Sequence, residues 1–210
     1  MKLSEIAQPK AVIDKADIIN WLKSVGVKNY TIRDDGIVDV NGDVNLKSKG
    51  LQSIPIQFGH VSGYFTCVGC KLTSLTGAPQ SVGGYFDCSY NKLTSLTGAP
   101  QSVGGYFGCA HNKLTSLTGA PQSVGGGFYC GYNKLTSLTG SPQSVGDYFN
   151  CVKNPHLKIL PIFRIKGITR IDHEAGQILT KYYKPDGTGD IIAAQDELID
   201  AGFGKIARMK

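Results

Sequence analysis

The fold of this chain is decided by the stretch LTSLTGAPQSVGG, which occurs unchanged at residues 72–84, 93–105 and 114–126. A fourth copy begins at residue 135 and differs only by Ser141 and Asp147, and a looser copy, LQSIPIQFGHVSG, begins at residue 51. The period is 21 residues. Self-similarity at a fixed period of this size predicts a solenoid of stacked units. The register extends in both directions, so we place the solenoid at about residues 40–171.

Apolar residues recur at fixed positions of each unit and form columns through the array. The columns are Phe65, Phe86, Phe107, Phe128 and Phe149, then Cys67, Cys88, Cys109, Cys130 and Cys151, then Leu72, Leu93, Leu114 and Leu135. Phe and Cys are two residues apart, which is the alternation of a β-strand, so both are expected to point inward. A further column holds Asn91, Asn112, Asn133 and Asn154, three residues after each Cys.

The combined pattern F-x-C-x-x-N-x-L-x-x-L resembles the leucine-rich-repeat signature L-x-L-x-x-N-x-L-x-x-L over about 130 residues. The resemblance implies a parallel β-sheet with one short strand per unit and mostly non-helical convex connections. It also implies that the Asn column hydrogen-bonds the backbone of adjacent turns. The variant with L-T-S-L-x-G-A-P and V-x-G-x-F-x-C-x-x-N is similar to repeat proteins of large tailed bacteriophages and some bacteria, which implies a fold and an origin rather than an activity.

The cysteines invite a metal or disulfide interpretation, but five of them lie in one column instead of around one point. They occupy a core position that Leu46 fills in the first unit, so packing is the favoured interpretation. Cys70 stands in the Asn column, where either an edge substitution or a reactive thiol is conceivable and the substitution is favoured. Because a metal site requires converging ligands, we predict no metal and no cofactor.

Both ends of the array need caps, because terminal repeats would otherwise expose the core. Residues 1–39 are predicted to form a helical and β-hairpin cap. Its helix covers residues 14–25, with Ile18, Ile19, Trp21, Leu22 and Val25 on an apolar side and Gly26 as its stop. Short strands are expected at 30–33, 37–40 and 43–46, separated by the turns Asp34-Asp35-Gly36 and Asn41-Gly42.

Residues 172–210 are predicted to form a helical C-terminal cap. The stretch FRIKGITRI, at 163–171, suggests a last edge strand, which the turn-rich KPDGTG links to an amphipathic helix over residues 190–207. That helix places Ile191, Ala194, Leu198 and Ile199 towards the core. A partner-binding helix is the alternative interpretation.

The connecting segments are nearly identical between units, whereas the outward strand positions vary, and this contrast separates scaffold from candidate site. Seven of the ten tyrosines lie at the variable positions. Tyrosine offers a large rigid contact area with a polar end, which suits recognition. The alternative is that exposed aromatic residues merely favour strands and stack along the ladder. We predict a partner-binding concave face formed by Tyr64, Tyr85, Asp87, Tyr90, Tyr106, His111, Tyr129, Tyr132, Tyr148, Asn150 and Lys153.

The net charge of +6 is concentrated in the repeats, since residues 51–160 hold six lysines against two aspartates. Four of those lysines, Lys71, Lys92, Lys113 and Lys134, form a column of their own. A solvated edge is the favoured interpretation, and a phosphate track would supply only a few contacts. Nucleic-acid binding through concave tyrosines and this edge is therefore the alternative function, with a structural or virion-associated role as the third.

Catalysis is not predicted, because the four histidines are scattered without a spaced nucleophile and no phosphate-binding glycine motif occurs. No apolar run approaches the roughly 18 residues of a membrane span, and residues 1–9 lack a signal-like apolar segment. We therefore expect a non-catalytic protein-binding module in the cytoplasm, which for a phage protein is the host cytoplasm, where its partner would be a host factor such as a defence protein.

Overall fold

A computed structural model describes residues 14–207, and in them the chain forms a parallel β-solenoid of about six turns with about 21 residues per turn. Six turns each contribute one strand to each of two seven-stranded sheets, and a hairpin strand at one end and a last parallel strand at the other complete them. The Ser-Val sheet contains β1 (Tyr30–Ile32), β2 (Val38–Val40), β4 (Phe58–Val61), β6 (Ser81–Val82), β8 (Ser102–Val103), β10 (Ser123–Val124) and β12 (Ser144–Val145). The Phe sheet contains β3 (Val44–Asn45), β5 (Phe65–Thr66), β7 (Phe86–Asp87), β9 (Phe107–Gly108), β11 (Phe128–Tyr129), β13 (Tyr148–Asn150) and β14 (Arg170–Asp172).

The sequence prediction did not include the second strand of each turn, since it described the segment between successive Phe strands only as a tight, mostly non-helical connection. Within that segment Ser81 and Val82 pair in register with Ser102 and Val103. The valine is buried and closes the core from the side opposite the phenylalanine. A two-residue strand is too short to show an alternating pattern, so only the stacking of identical turns makes it recognisable.

The core consists of the predicted columns. The five phenylalanines, the five cysteines of the Cys column and the four leucines have no measurable exposure. Adjacent phenylalanine rings stack with centroids 5.3–5.5 Å apart. Full burial of such a side chain contributes about 1.5–3 kcal/mol, and the burial comes from the neighbouring turns.

The asparagine column hydrogen-bonds the backbone as predicted. The Asn112 amide group lies 3.1 Å from the carbonyl oxygen of Cys88 in the preceding turn and 3.2 Å from that of Cys109 in its own turn. Its side-chain oxygen accepts a hydrogen bond from the backbone N–H of Leu93 at 3.0 Å. In the first such position Cys70 replaces asparagine, and its thiol donates to the carbonyl of Leu46.

Backbone N–H groups bond to both neighbouring turns of the solenoid, as alternate residues of parallel strands do. At the Phe sheet the N–H of Phe86 bonds to the carbonyl of Tyr106 in the following turn at 2.9 Å, and that of Gly84 bonds to the carbonyl of Gly63 in the preceding turn at 2.8 Å. At the Ser-Val sheet the N–H of Phe58 bonds forward to Gly77 at 3.0 Å, and that of Gln101 bonds back to Gln80 at 2.8 Å.

The N-terminal helix and hairpin are confirmed where the structure describes them. Helix α1 (Lys15–Val25) buries Ile18, Leu22 and Val25, and it ends at Gly26, whose φ of 79° is left-handed. The hairpin is the antiparallel pair β1–β2, of which β2 continues into the Ser-Val sheet. Residues 1–13 of the predicted cap lie outside the described part of the chain.

The C-terminal region is helical, but its elements differ from those predicted. A 3-10 helix (Leu160–Arg164) precedes β14, and a short helix α2 (Gly176–Tyr182) follows it. Helix α3 (Ile191–Leu198) then gives way to a π-helical turn (Ile199–Phe203).

Two predictions for this region are therefore wrong. KPDGTG joins α2 to α3 instead of joining the edge strand to the helix. The helix predicted to reach residue 207 ends at Leu198, because the chain turns at Gly202 with a φ of 86°. As a result Ile199 is half exposed, whereas Ala194 and Leu198 are buried as expected.

Candidate functional site

The outer face of the Phe sheet carries two rows of aromatic rings, which together contain eight of the predicted site residues. The first row consists of Tyr64, Tyr85, Tyr106, Tyr129 and Tyr148, and the second row consists of Tyr90, His111 and Tyr132. In the first row Tyr64, Tyr85 and Tyr106 stack with centroids 4.7 and 4.6 Å apart. In the second row the centroid distances are 4.1 and 4.2 Å.

The first row remains continuous across Gly127, where the tyrosine of the column is missing. Tyr129 supplies the replacement, since its ring atoms approach within 3.0–3.2 Å of where a Cβ on Gly127 would stand. Its ring is turned by 84° relative to Tyr106, at a centroid distance of 5.6 Å. The ring of Tyr129 therefore occupies the place that the tyrosine directly before each phenylalanine holds in the other turns. In the sequence, however, Tyr129 lies between Phe128 and Cys130.

The C-terminal end of the first row is closed by a guanidinium group. Arg170 lies over the ring of Tyr148, with the guanidinium carbon 4.3 Å from the ring centroid. The Tyr148 hydroxyl donates to the carboxylate of Asp172, and the Asn150 amide donates to the same carboxylate at 2.9 Å. Sequence reasoning missed Arg170 and Asp172 because they follow the last recognisable repeat and were assigned to the cap and its boundary.

The second row stands on a left-handed backbone. Tyr90, His111 and Tyr132 have φ values of 59°, 53° and 54°. In the earlier turns the same position holds Ser48 and Gly69, also at positive φ. A bulky residue in this conformation costs about 1–2 kcal/mol relative to right-handed backbone, so the three rings are held at an energetic cost. Tyr90 and Tyr132 are nevertheless 57% and 48% exposed.

Lys153 extends the left-handed series at φ 56° without extending the aromatic row. Its side chain is exposed, and its backbone N–H donates to the carboxylate of Glu174 at 3.0 Å. The predicted site residues therefore fall into two groups. Eight of them form the aromatic rows, and the three polar ones lie beside these rows, with Asp87 in the middle of the face and Asn150 and Lys153 at its C-terminal turn.

A depression, hereafter the recess, lies on this face across the turns that contain β7, β9 and β11. It has a volume of about 320 Å³ and is lined by Asp87, Ser89, Tyr106, Gly108, Ala110 and Tyr129. The Asp87 carboxylate reaches over Gly108, since a Cβ added there would lie 2.7 Å from its Oδ1 atom. Burial, and then the nearby Asp87 carboxylate, raises the pKa of the Tyr106 hydroxyl above its usual range. Tyr106 is thus a neutral phenol at physiological pH.

The thiols do not form part of this site. All five cysteines of the Cys column are fully buried and Cys70 nearly so, all as free thiols. Burial, the first cause in each case, raises the pKa of the five column thiols, and a thiol is a nucleophile only as its thiolate. Among residues 14–207 no group of three or more histidine, cysteine or acidic side chains is arranged to hold a metal ion.

The stacking determines which chemistry the rings can offer. In the near-parallel stacks, with interplanar angles of 4–12°, each inner ring face is covered by its neighbour. The ring edges, the tyrosine hydroxyls and the turned ring of Tyr129 remain for a ligand. Such a surface provides rigid contact area with hydrogen-bonding ends, which is typical of protein recognition.

Comparisons with known proteins identify no family for this chain, so its fold class rests on the repeat architecture described above. No protein-family model matches the sequence, and neither characterised proteins nor solved structures include a significant match. Across the described residues, no helix combines the length and apolar character needed to cross a membrane.

Proposed function

We propose that this protein is a non-catalytic binding module of the leucine-rich-repeat type, which holds another protein on the outer face of its Phe sheet. One observation carries the proposal: three consecutive turns keep an aromatic residue in a left-handed conformation, of which Tyr90 and Tyr132 are exposed and His111 is half-buried. In the two earlier turns the same position adopts the left-handed conformation with Ser48 and Gly69, which have small side chains. The turn requires this left-handed backbone, since Ser48 and Lys153 share it, but it does not require an aromatic side chain there. Rings held at an energetic cost that the turn could avoid point to a functional demand on the side chain.

The resemblance of the repeat to proteins of large tailed bacteriophages gives this proposal its biological setting. A phage-encoded binding module would act in the host cytoplasm, where blocking or redirecting a host factor requires recognition without catalysis. The aromatic rows suit that task, because tyrosine supplies contact area at a low entropic cost.

Nucleic-acid binding is the second candidate, and the exposed column of Lys71, Lys92, Lys113 and Lys134 favours it. The ring stacks argue against it, because sequence-tolerant binding of single strands depends on bases stacking against free aromatic faces. Only the turned ring of Tyr129 and the row ends offer such faces. A protein partner makes better use of the exposed edges and hydroxyls.

The proposal is tested with three baits in affinity capture from lysate of the native host. The first is the wild-type protein, and the second is the triple variant Tyr90→Asn, His111→Asn, Tyr132→Asn. Asparagine tolerates the left-handed conformation, so the rings are removed without new backbone strain. The matched control, Gln80→Ala, Gln101→Ala, Gln122→Ala, changes three exposed residues beside the Ser-Val sheet.

We expect the wild type and the glutamine control to retain the same proteins and the ring-free variant to lose them. If the ring-free variant folds and keeps every partner, the assignment to this face is wrong. Treating the lysate with nuclease distinguishes the two candidate functions. Partners that are captured only from untreated lysate are held through nucleic acid, and they would support nucleic-acid binding by the lysine column instead. In that case binding to purified DNA or RNA should weaken steeply with added salt.

A further inference from the structure

The recess combines one carboxylate with aromatic walls and a floor of small residues. Among the residues that line it, Asp87 alone is charged, and no lysine or arginine of the described chain is among them. Gly108 and Ala110 form the floor, and two turns further along the same two positions hold the larger Asn150 and Val152. The volume of about 320 Å³ lies at the small end of ligand pockets, which suits one side chain better than a whole cofactor.

The hydrogen bonds of Asp87 leave acceptor capacity free. Its Oδ1 accepts from the backbone N–H of Ser89 at 2.9 Å, and its Oδ2 lies 3.4 Å from the Tyr106 hydroxyl, which is long for a hydrogen bond. An ionised carboxylate has about four acceptor positions. At least two therefore remain for a donor that enters the recess.

The same row of rings already binds a guanidinium two turns away. There Arg170 covers the ring of Tyr148, and Asp172 accepts from the hydroxyl of that tyrosine. A hydrogen bond with Tyr148, and after it the negative charge of Asp172, raises the pKa of the Arg170 guanidinium. Tyrosine, carboxylate and guanidinium thus form a complete set at the C-terminal turn. At the recess the tyrosines and the carboxylate are present, and none of the described residues that line it is a cation.

We infer that the recess receives an arginine side chain of the partner protein, with its guanidinium between the Asp87 carboxylate and the ring of Tyr129. A guanidinium is planar and weakly hydrated, stacks on aromatic rings, and offers a rigid set of N–H donors to a carboxylate. This inference rests on the proposed function and specifies the group that the partner presents to the middle of the face.

The test uses the peptide acetyl-Gly-Gly-Arg-Gly-Gly-amide and a matched peptide with citrulline, the neutral isostere of arginine. Each is titrated into isotopically labelled full-length protein, and the backbone amide signals of Gly108 and Ala110 are followed by NMR. We expect the arginine peptide to shift both signals in a saturable manner and the citrulline peptide to bind at least about tenfold more weakly, because a charge-assisted hydrogen bond is lost.

Two variants remove the site by different routes. Asp87→Asn removes the charge and keeps an oxygen that can accept from Ser89, and Ala110→Leu fills the floor while leaving the carboxylate in place. Both should weaken the arginine peptide by at least about tenfold. Asp200→Asn is the control, since it makes the same change in net charge at an exposed position outside the site.

Absence of saturable shifts in the folded wild-type protein, or equal binding of both peptides, would overturn the inference. Equal binding by Asp87→Asn would do the same. These outcomes are distinct from failure of the proposed function. A partner captured through the second row can still be retained by Asp87→Asn, whereas retention by the ring-free triple variant speaks against the face itself.

Discussion

Replacing Tyr132 with asparagine should change the stability of the fold little, although it removes a large aromatic side chain. The substitution loses one ring stack, that with His111 at 4.2 Å, worth about 1 kcal/mol. It also loses the burial of about half a ring, worth about 1 kcal/mol. Against this, releasing a bulky residue from φ 54° returns about 1–2 kcal/mol. We expect a net change in the free energy of unfolding within about 1 kcal/mol.

Tyr85→Asn is the matched control, because Tyr85 belongs to the first row and is not in the left-handed region. It stacks with both Tyr64 and Tyr106, so about 2 kcal/mol of ring contact and about 1 kcal/mol of burial are lost without relief of strain. Urea denaturation followed by circular dichroism measures both variants, and equal m-values are required before midpoints are compared. If Tyr132→Asn costs more than about 2 kcal/mol and matches Tyr85→Asn, the second row supports the fold, and its backbone is no argument for binding.

Three further outcomes are expected. Asn112→Ala should destabilise the fold by about 2–4 kcal/mol in urea denaturation, because it orphans the Leu93 N–H and the carbonyls it bonds; a loss below about 1 kcal/mol would contradict this. The six thiols should resist Ellman's reagent in the native protein at pH 8 and react fully after denaturation, and rapid native labelling of the Cys column would contradict their burial. Burial lowers the pKa of His173, so thermal stability should fall as pH drops below about 6.5, and His173→Asn should flatten that slope.

The sign for His173 follows from proton uptake. Its pKa is lower in the folded than in the unfolded chain, so between the two values the unfolded chain binds more protons. The contribution is present in full above the unfolded pKa and is lost as the pH falls towards the folded one. The imidazole Nδ1 accepts the backbone N–H of Ala175, which requires a nitrogen without a proton and is consistent with the neutral form.

The periodic part of the molecule could be predicted because each buried column is repeated several times. Phe, Cys, Leu and Asn positions, the N-terminal helix and its hairpin all follow from spacing and turn residues. The Ser-Val strands could not be predicted from alternation, since they are two residues long. Helix α2 was missed because it has seven residues and no side-chain cap at its N-terminus.

Within the candidate site, the sequence predicted the aromatic residues of the two rows but neither their arrangement nor the part played by Arg170 and Asp172. That Tyr129 fills the place left by Gly127 depends on side-chain rotation across two columns. The left-handed backbone of Tyr90, His111 and Tyr132 is hidden by their residue types, which seldom adopt it. The recess exists because Gly108 and Ala110 lie side by side in space, between a carboxylate and rings from different turns.

The alternating direction of the backbone hydrogen bonds has an electrostatic consequence. In an α-helix the peptide dipoles align and leave partial charges at the ends. In this solenoid N–H groups point towards both neighbouring turns, as those of Phe86 and Gly84 do, so the peptide dipoles largely cancel. Adding or removing one 21-residue turn therefore leaves the field at either cap nearly unchanged. The length of the molecule is free to vary without any compensating change of charge at its ends.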